Sequence, residues 1–437
     1  MDRIDFPLLG NSIIMAVVIL THVFFAFFAV GGSVLAVFAE WWGTRKKDDD
    51  FIRLAKGVSG FLSGMMKING VLGVAIVVLT IGLWTPFGAF LYSTQFWPFL
   101  AEGAVFLFLM IFAVTYHNTW NSVSRGMHIF YGLCTALFAT AAGILLNSIW
   151  IFMMVPGKWV DTQARWDAFN TPVFLESTIH LVLPCFINGA LIVFVWSYWK
   201  SRKPSEDQQY YEKVNRFTGA LGGVLLFLQP LSGISFLLKV KSTTEALPKP
   251  NPWAQLIDGA ATPFLYIMVG LGSFAVICTI LYWVMGHAKG RKALLAASIA
   301  MFIAFFIGGF TRARARKPYL IWGTMRMDQQ FTRSFMEKAN IPVMIEKPKG
   351  DSKTQVGSID IDGRQVFKKS QCQACHMHNG EGGTNGPDLS NVSDQYNKEK
   401  IMNFILQPPE PANMVMPPFN GSDAELDALA DYLLQNK

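Results

Sequence analysis

The amino-acid sequence predicts an all-α protein in two parts: a polytopic membrane bundle of about eight helices, then a small all-α domain outside the bilayer. Three observations carry that expectation. Hydrophobic residues make up 52% of the 437 and charged residues 15%, against about 25% charged in an ordinary soluble chain, and the mean hydropathy is +0.33. Eight stretches approach or exceed the roughly 20 apolar residues that cross a bilayer. The charge balance also breaks near residue 350. Residues 351–437 hold 7 basic and 12 acidic side chains, so the net charge of +7 divides into +12 before the break and −5 after it. This composition excludes a soluble enzyme, a disordered chain and a nucleic-acid binder. The expected division is a membrane domain over 1–317, a linker over 318–350 and an external domain over 351–437.

The apolar stretches lie at about 11–38, 57–83, 97–117, 127–155, 173–199, 217–240, 262–286 and 291–310. The first ends in Val37-Phe38-Ala39, which resembles a leader cleavage site. Its apolar run is too long for a leader, and Asp2 and Asp5 flank Arg3 where a leader would be basic, so it is read as a retained helix. Lysine and arginine set the expected orientation. The first connection carries Arg45, Lys46, Lys47, Arg53 and Lys56; the fifth carries Lys200, Arg202, Lys203, Lys213 and Arg216; the turn after the seventh segment carries Lys289, Arg291 and Lys292. The alternate connections are lean, with none in 84–96 and two in 156–172. Both termini are therefore expected on the outer, periplasmic side of a bacterial cell membrane.

Lys67, Glu102 and Glu176 are the charged residues expected well inside the spans, and an ionisable group in lipid is costly enough to mark a candidate site. His22, His117, His128 and His180 fall in or at the ends of helices, and His287 falls in a turn. At about 1.5 Å per residue, His180 lies roughly 12 Å below the outer surface and Met268 roughly 9 Å. A histidine and a methionine at matched depth fit a low-spin haem, in which the methionine raises the reduction potential. His22, roughly 16 Å inside the first helix, and Glu102, about 8 Å inside the third, fit a second haem pocket or a proton path. Each has an ordinary reading as well. A lone helical histidine is a common packing residue, Met268 is one of 19 methionines, and His117 and His128 suit interfacial packing. Arg312, Arg314, Arg316 and Lys317 break the charge rule at the outer end of the eighth segment, as a solvated run or as partners of anionic haem propionates.

Cys372-Gln373-Ala374-Cys375-His376 is a c-type haem attachment motif. Two thiols three positions apart reach the two vinyl groups, and the adjacent histidine becomes the proximal iron ligand. A zinc half-site would need a second cysteine pair, and a redox dithiol would sit in a βαβ pattern; neither is present. Cys134, Cys185 and Cys278 lie in apolar runs and read as small hydrophobes. The surroundings resemble a small cytochrome c. Asp362-Gly363-Arg364-Gln365-Val366-Phe367 opens a helix, Gly386-Pro387-Asp388-Leu389 follows the motif, and Ser422-Asp423-Ala424-Glu425-Leu426 caps a closing helix. Met416-Pro417-Pro418-Phe419 supplies the distal sulfur, with Met414 as its rival, and His378 reads as a surface residue. One covalent haem c is implied. Such attachment occurs outside the cytoplasm, in agreement with eight crossings from an outward N-terminus. Phe331–Lys338 reads as a short helix and Glu346-Lys347-Pro348-Lys349-Gly350 as a polar hinge.

Roughly residues 1–320 resemble subunit I of the cytochrome bd oxidases. The resemblance rests on His22, Lys67-Ile68-Asn69-Gly70-Val71-Leu72-Gly73, Ala101-Glu102-Gly103, His128 with Pro156, His180 after Thr171-Pro172, and Pro263-Phe264-Leu265-Tyr266-Ile267-Met268. It implies that His180 and Met268 ligate a low-spin haem b. It also implies that His22 serves a haem of the oxygen-reducing pair, with Glu102 in that pocket, so these two are the catalytic candidates. Second and third haems of b or d type would lie there. The departures are equally specific. The family's second acid two turns after Glu102 is Met110 here, its helix-eight glutamate ligand falls on Phe306, and only about twenty residues stand where the family has a long quinol-binding loop.

The resulting expectation is a membrane-bound respiratory electron-transfer protein, passing electrons between an external carrier such as a soluble c-type cytochrome and membrane haem b, alongside a membrane partner subunit. Quinol oxidation is expected to carry over poorly. The alternatives are a bd-type reductase of oxygen or nitric oxide at His22/Glu102, which would make the chain a haem-dependent oxidoreductase, and a haem-bearing structural or sensor subunit of a larger respiratory complex.

Overall fold

The computed structural model describes residues 11–339 except 205, and 362–435 except 385, 407, 409–415, 417, 418, 420 and 422. It forms two compact units, one ending at Gln330 and one beginning at Phe331.

The first unit opens with α1 (Asn11–Lys46) and α2 (Asp49–Leu83), joined by a tight turn at Lys47, whose φ of 54° ends α1. The Asp48 side chain then accepts from the Asp50 amide at 3.2 Å and caps α2. A short helix α3 (Thr85–Thr94) leads into α4 (Phe96–Asn118), and Ser124 caps α5 (Arg125–Met154). Two short helices, α6 (Trp159–Thr162) and α7 (Arg165–Phe169), precede α8 (Phe174–Ser201) and α9 (Gln208–Thr244). Pro184 and Pro230 lie inside α8 and α9, where neighbouring helices tolerate the lost backbone bond. The short helix α10 (Pro252–Asp258), capped by Asn251, is followed by α11 (Thr262–Ala315).

Among the described residues seven helices are long and apolar enough to cross a membrane. The seventh, α11, is 54 residues and contains a non-helical residue, Gly286, with φ 72° and ψ 164°. A Cβ on Gly290 would lie 2.6 Å from the Tyr282 backbone, so the chain doubles back there. Its two arms pack together, with Leu294, Ala297 and Ala300 against Ala275, Cys278 and Tyr282. The eight expected segments are thus present, and the seventh and eighth form a hairpin at the basic turn.

α1 lies at the centre of the bundle and meets α2, α5 and α8. Its crossing with α8 is set by glycine: a Cβ on Gly31 would fall 1.9 Å from the Cys185 carbonyl oxygen, and one on Gly189 would fall 2.4 Å from the Gly31 backbone. Without a hydrophobic drive between helices in lipid, such close backbone approach supplies the packing energy. At the basic end, Arg53 holds Asp207 through two bonds of 2.7 and 2.8 Å, and Lys213 bridges Asp48 and Asp50.

The expected linker begins too early. Residues 318–330 belong to the membrane unit, because β1 (Tyr319–Ile321) and β2 (Met325–Arg326) form a hairpin fastened to it. The Trp322 amide donates to the Met153 carbonyl and its indole donates to the Pro250 carbonyl, both at 3.0 Å. The expected hinge at 346–350 lies outside the described residues.

The second unit begins with α12 (Arg333–Lys338), close to the short helix expected there. Its main body is α13 (Gly363–Lys369), a 3-10 turn at Cys372–Ala374, a minimal hairpin of β3 (Met377–His378) and β4 (Glu381–Gly382), α14 (Lys398–Leu406) and α15 (Asp423–Leu433). Phe367, Ile401, Leu426, Leu429 and Leu433 form its core.

Gly189→Leu should cost more than the roughly 1–3 kcal/mol of ordinary overpacking, because its side chain meets backbone instead of a movable side chain. The expected outcome is loss of the monodisperse peak in detergent size-exclusion chromatography. Gly272→Ala, with nothing within 4 Å of the added carbon, should leave that peak intact.

Candidate functional site

In the second unit, Asp362 caps α13 by accepting from the Arg364 amide at 2.9 Å. The turn that follows carries both cysteines, Cys372 half-buried and Cys375 exposed. Burial pushes the Cys372 thiol up to about 11. His376 Nδ1–H donates to the Pro387 carbonyl at 2.9 Å. A carbonyl can only accept, so this bond places the proton on Nδ1 and leaves Nε2 for a metal. A Cβ on Gly386 would sit 2.7 Å from the His376 ring, so the glycine lets the loop close over the imidazole. Met416 is half-buried, while Met414, Pro417, Pro418 and Ser422 lie outside the described residues.

His378 corrects the sequence reading: it is fully buried. Its ring lies 6.1 Å from that of Phe367 and 4.7 Å from that of Tyr432. The cause is the hairpin turn at Asn379 and Gly380, both at positive φ, which directs His378 onto α13 and α15. An Asn-Gly pair is the usual two-residue hairpin signal, and it was present in the sequence.

In the membrane unit His180, on α8, shows the same presentation as His376. Its Nδ1 lies 3.2 Å from the Ser232 hydroxyl on α9. That hydroxyl already donates to the Gln229 carbonyl at 2.8 Å, so its oxygen accepts from the imidazole. The Gln229 amide lies 3.1 Å from the same nitrogen. With its oxygen turned toward the ring, this amide would share the one Nδ1–H with Ser232. The ring stacks on Phe236 at 5.5 Å, and Gly233 leaves room beside it. Phe236 and Met268 pack on one cluster that includes Ile151, Met154, Leu265 and Ala315. The structure therefore brings His180 and Met268 to one region, with the Met268 sulfur facing Gly308.

Arg312 and Arg316 reach toward the same helix ends. Arg312 donates to the Trp150 carbonyl and lies over its ring at 5.0 Å, while Arg316 donates to the Leu320 carbonyl and touches the Met153 sulfur at 3.4 Å. The Arg316 Nε is buried without a partner, and among the described residues neither guanidinium meets a carboxylate. Burial pulls Arg316 down to about 10. Orphaned buried cations of this kind fit an anionic group such as a propionate.

His22, on α1, has its Nδ1 3.2 Å from the Asn69 carbonyl on α2, and Gly73 makes room for the ring. Gly70 packs beside Phe106 of α4, one turn after the half-buried Glu102. His22 and this part of α4 thus meet the same Asn69–Gly73 stretch. Phe306 sits among phenyl rings, 5.0 Å from Phe302 and 5.1 Å from Phe305, which in turn contacts Phe24 and Phe27. Met110 packs on the apolar core.

Glu176, His128 and Glu40 are held by partners within the chain. Glu176 meets Lys239 at 3.8 Å. His128 is buried, with Nδ1 2.7 Å from Glu40 and Nε2 2.8 Å from the Tyr116 carbonyl, so both nitrogens are used in packing. Glu40, fully buried and also bound by Arg125 at 3.0 Å, escaped the sequence reading because it lies beyond the first apolar run and its partners are 85 and 88 residues away.

Residues 12–245 match the family of cytochrome bd terminal oxidase subunit I, and residues 361–437 match the cytochrome c family. A Bacillus subtilis (strain 168) protein described as subunit I of a cytochrome bd menaquinol oxidase is 28% identical over 229 residues, covering 48% of this chain and 50% of that protein. The chain thus spans about half the length of that curated relative. The solved bd oxidase of Geobacillus thermodenitrificans shares the fold, with a TM-score of 0.63 over 75% of this chain and 91% of that one at 17% identity.

Haem staining on a denaturing gel should be positive for the full chain, because thioether bonds survive unfolding, and should vanish in Cys372→Ser/Cys375→Ser. Staining that persists in the double variant would contradict covalent attachment there. His180→Ala should abolish the low-spin b spectrum and leave the c spectrum intact. Survival of the b signal in both His180→Ala and Met268→Ala would remove that ligand pair.

Proposed function

This chain belongs to the cytochrome bd terminal oxidase subunit I family and carries an appended cytochrome c domain, and we propose from that premise that it passes electrons between an external carrier and haem b in the membrane. The single observation that carries the reading is the shared presentation of His376 and His180, each with Nδ1 engaged by its own chain and Nε2 left open. Haem supplies the one-electron chemistry once bound. Cys372 and Cys375 anchor it covalently, and His376 and Met416 are the proposed axial ligands. His180 and Met268 are the proposed ligands of haem b, with Arg312 and Arg316 receiving its propionates. The proposed carrier is a soluble c-type cytochrome or a similar small protein on the outer side of a bacterial cell membrane, and a second membrane subunit completes the complex.

Reduction of oxygen or nitric oxide is the second reading, and one observation favours it: His22 also has its Nδ1 engaged, by Asn69. The surrounding residues oppose it. A phenyl ring cannot ligate iron, and Phe306 packs against the rings of Phe302 and Phe305. A thioether cannot relay a proton, and Met110 lies against apolar core. The connection between α9 and α11 is short and tied down, with Thr244 accepting from the Trp253 amide and Pro250 from the Trp322 indole, which leaves no long loop to enclose a quinol.

The intact complex should take up oxygen with quinol at background rates, while a small c-type cytochrome should still reduce or oxidise its c haem. Robust quinol-driven uptake that His22→Ala abolishes would replace this reading with the reductase.

A further inference from the structure

Glu176 has its counter-ion in Lys239, and Glu102 falls to the His22 pocket, which leaves Lys67. It lies on α2 eleven residues beyond Lys56, or about 16 Å along the axis, which is half the depth of a hydrocarbon core about 30 Å thick. Among the described residues no carboxylate lies within ion-pairing distance of its ammonium. The side chain is exposed on the outside of the bundle. From mid-depth a four-carbon stem cannot bring the charge to either interface, and an unpaired cation facing lipid there is strongly disfavoured.

The face around Lys67 has a second property. Phe61, Ile68, Val71 and Val78 are exposed at 55%, 58%, 71% and 61% and recur at helical spacing on one side of α2. Gly57 and Gly64, on the same side and seven residues apart, have nothing within 4 Å of an added Cβ. Small residues at that spacing let another helix approach the backbone closely.

We propose that this face of α2 docks a transmembrane helix of a different polypeptide, carrying an aspartate or glutamate that meets Lys67 at mid-membrane. This rests on the reading above that a second membrane subunit completes the complex, and it identifies that subunit by its chemistry. A second copy of this chain is disfavoured, since a two-fold contact through the face would set Lys67 against Lys67. A phospholipid head group lies at the interface, too shallow to reach the ammonium.

The test uses the full chain in its native membranes, with photoreactive benzoylphenylalanine in place of Val71 and mass spectrometry of the crosslinked peptide. The expected product is an apolar segment of another protein with a carboxylate within one helical turn of the attachment point. Lys67→Glu should lower recovery of that heteromer about tenfold or more, and a lysine in place of the partner's carboxylate should restore it. Crosslinks confined to this chain or to lipid would overturn the proposal, as would undiminished recovery with Lys67→Glu. Haem c and haem b spectra recorded on the same samples report separately on the electron-transfer reading, and they should be unchanged in Lys67→Glu.

Discussion

A histidine can offer iron one nitrogen reliably only when the other is already committed. Inside a bilayer no water is available to make that commitment, so the chain must make it. The constraint acts on the membrane unit, and the same arrangement recurs at His376. Ser232 with Gln229, Asn69 and Pro387 each engage the Nδ1 of one histidine, and each acceptor is held by an element that has another structural reason to be there. Ser232 is fixed by its own bond to the Gln229 carbonyl. Asn69 and Pro387 contribute backbone oxygens, which cannot rotate away. His128 is the counter-example, since Glu40 and Tyr116 take both of its nitrogens and convert a possible ligand into a packing residue.

The helices can hold these partners in register because their backbones approach so closely. The Gly31–Gly189 contact seats α1 against α8, the helices that carry His22 and His180. The break at Gly286 lets α11 return on itself, so that Gly308 on its second arm meets Met268 on its first. Glycine therefore serves two purposes in the bundle, close crossing and reversal, and both determine where the proposed ligands stand. The aromatic packing around Phe306 works in the opposite sense. It fills that part of the bundle with phenyl rings.

Much of this was legible in the sequence. Eight apolar segments, the basic turns and the Cys372–His376 motif depend on local pattern, and local pattern survives reading one residue at a time. The matched depths of His180 and Met268 depend on helix rise alone, and the structure adds that Phe236, stacked on His180, packs on the same cluster as Met268. What escaped the reading depended on distant partners. Glu40 stands beyond the first apolar run, and only the fold brings Arg125 and His128 around it. Residues 319–326 looked like the start of a linker because nothing local reveals that Trp322 bonds to Met153 and Pro250. His378 is the exception. Its Asn379-Gly380 turn is a local signal, and it directs the ring inward.

On the proposed function the chain carries haem for electron transfer and holds no oxygen-reducing haem pair in the membrane. The most direct measurement is a pyridine haemochromogen determination on the purified complex, normalised to the chain by quantitative amino-acid analysis and corrected for any haem on partner subunits. One haem c and one haem b per chain are expected. Three membrane haems per chain, or any haem d, would contradict it.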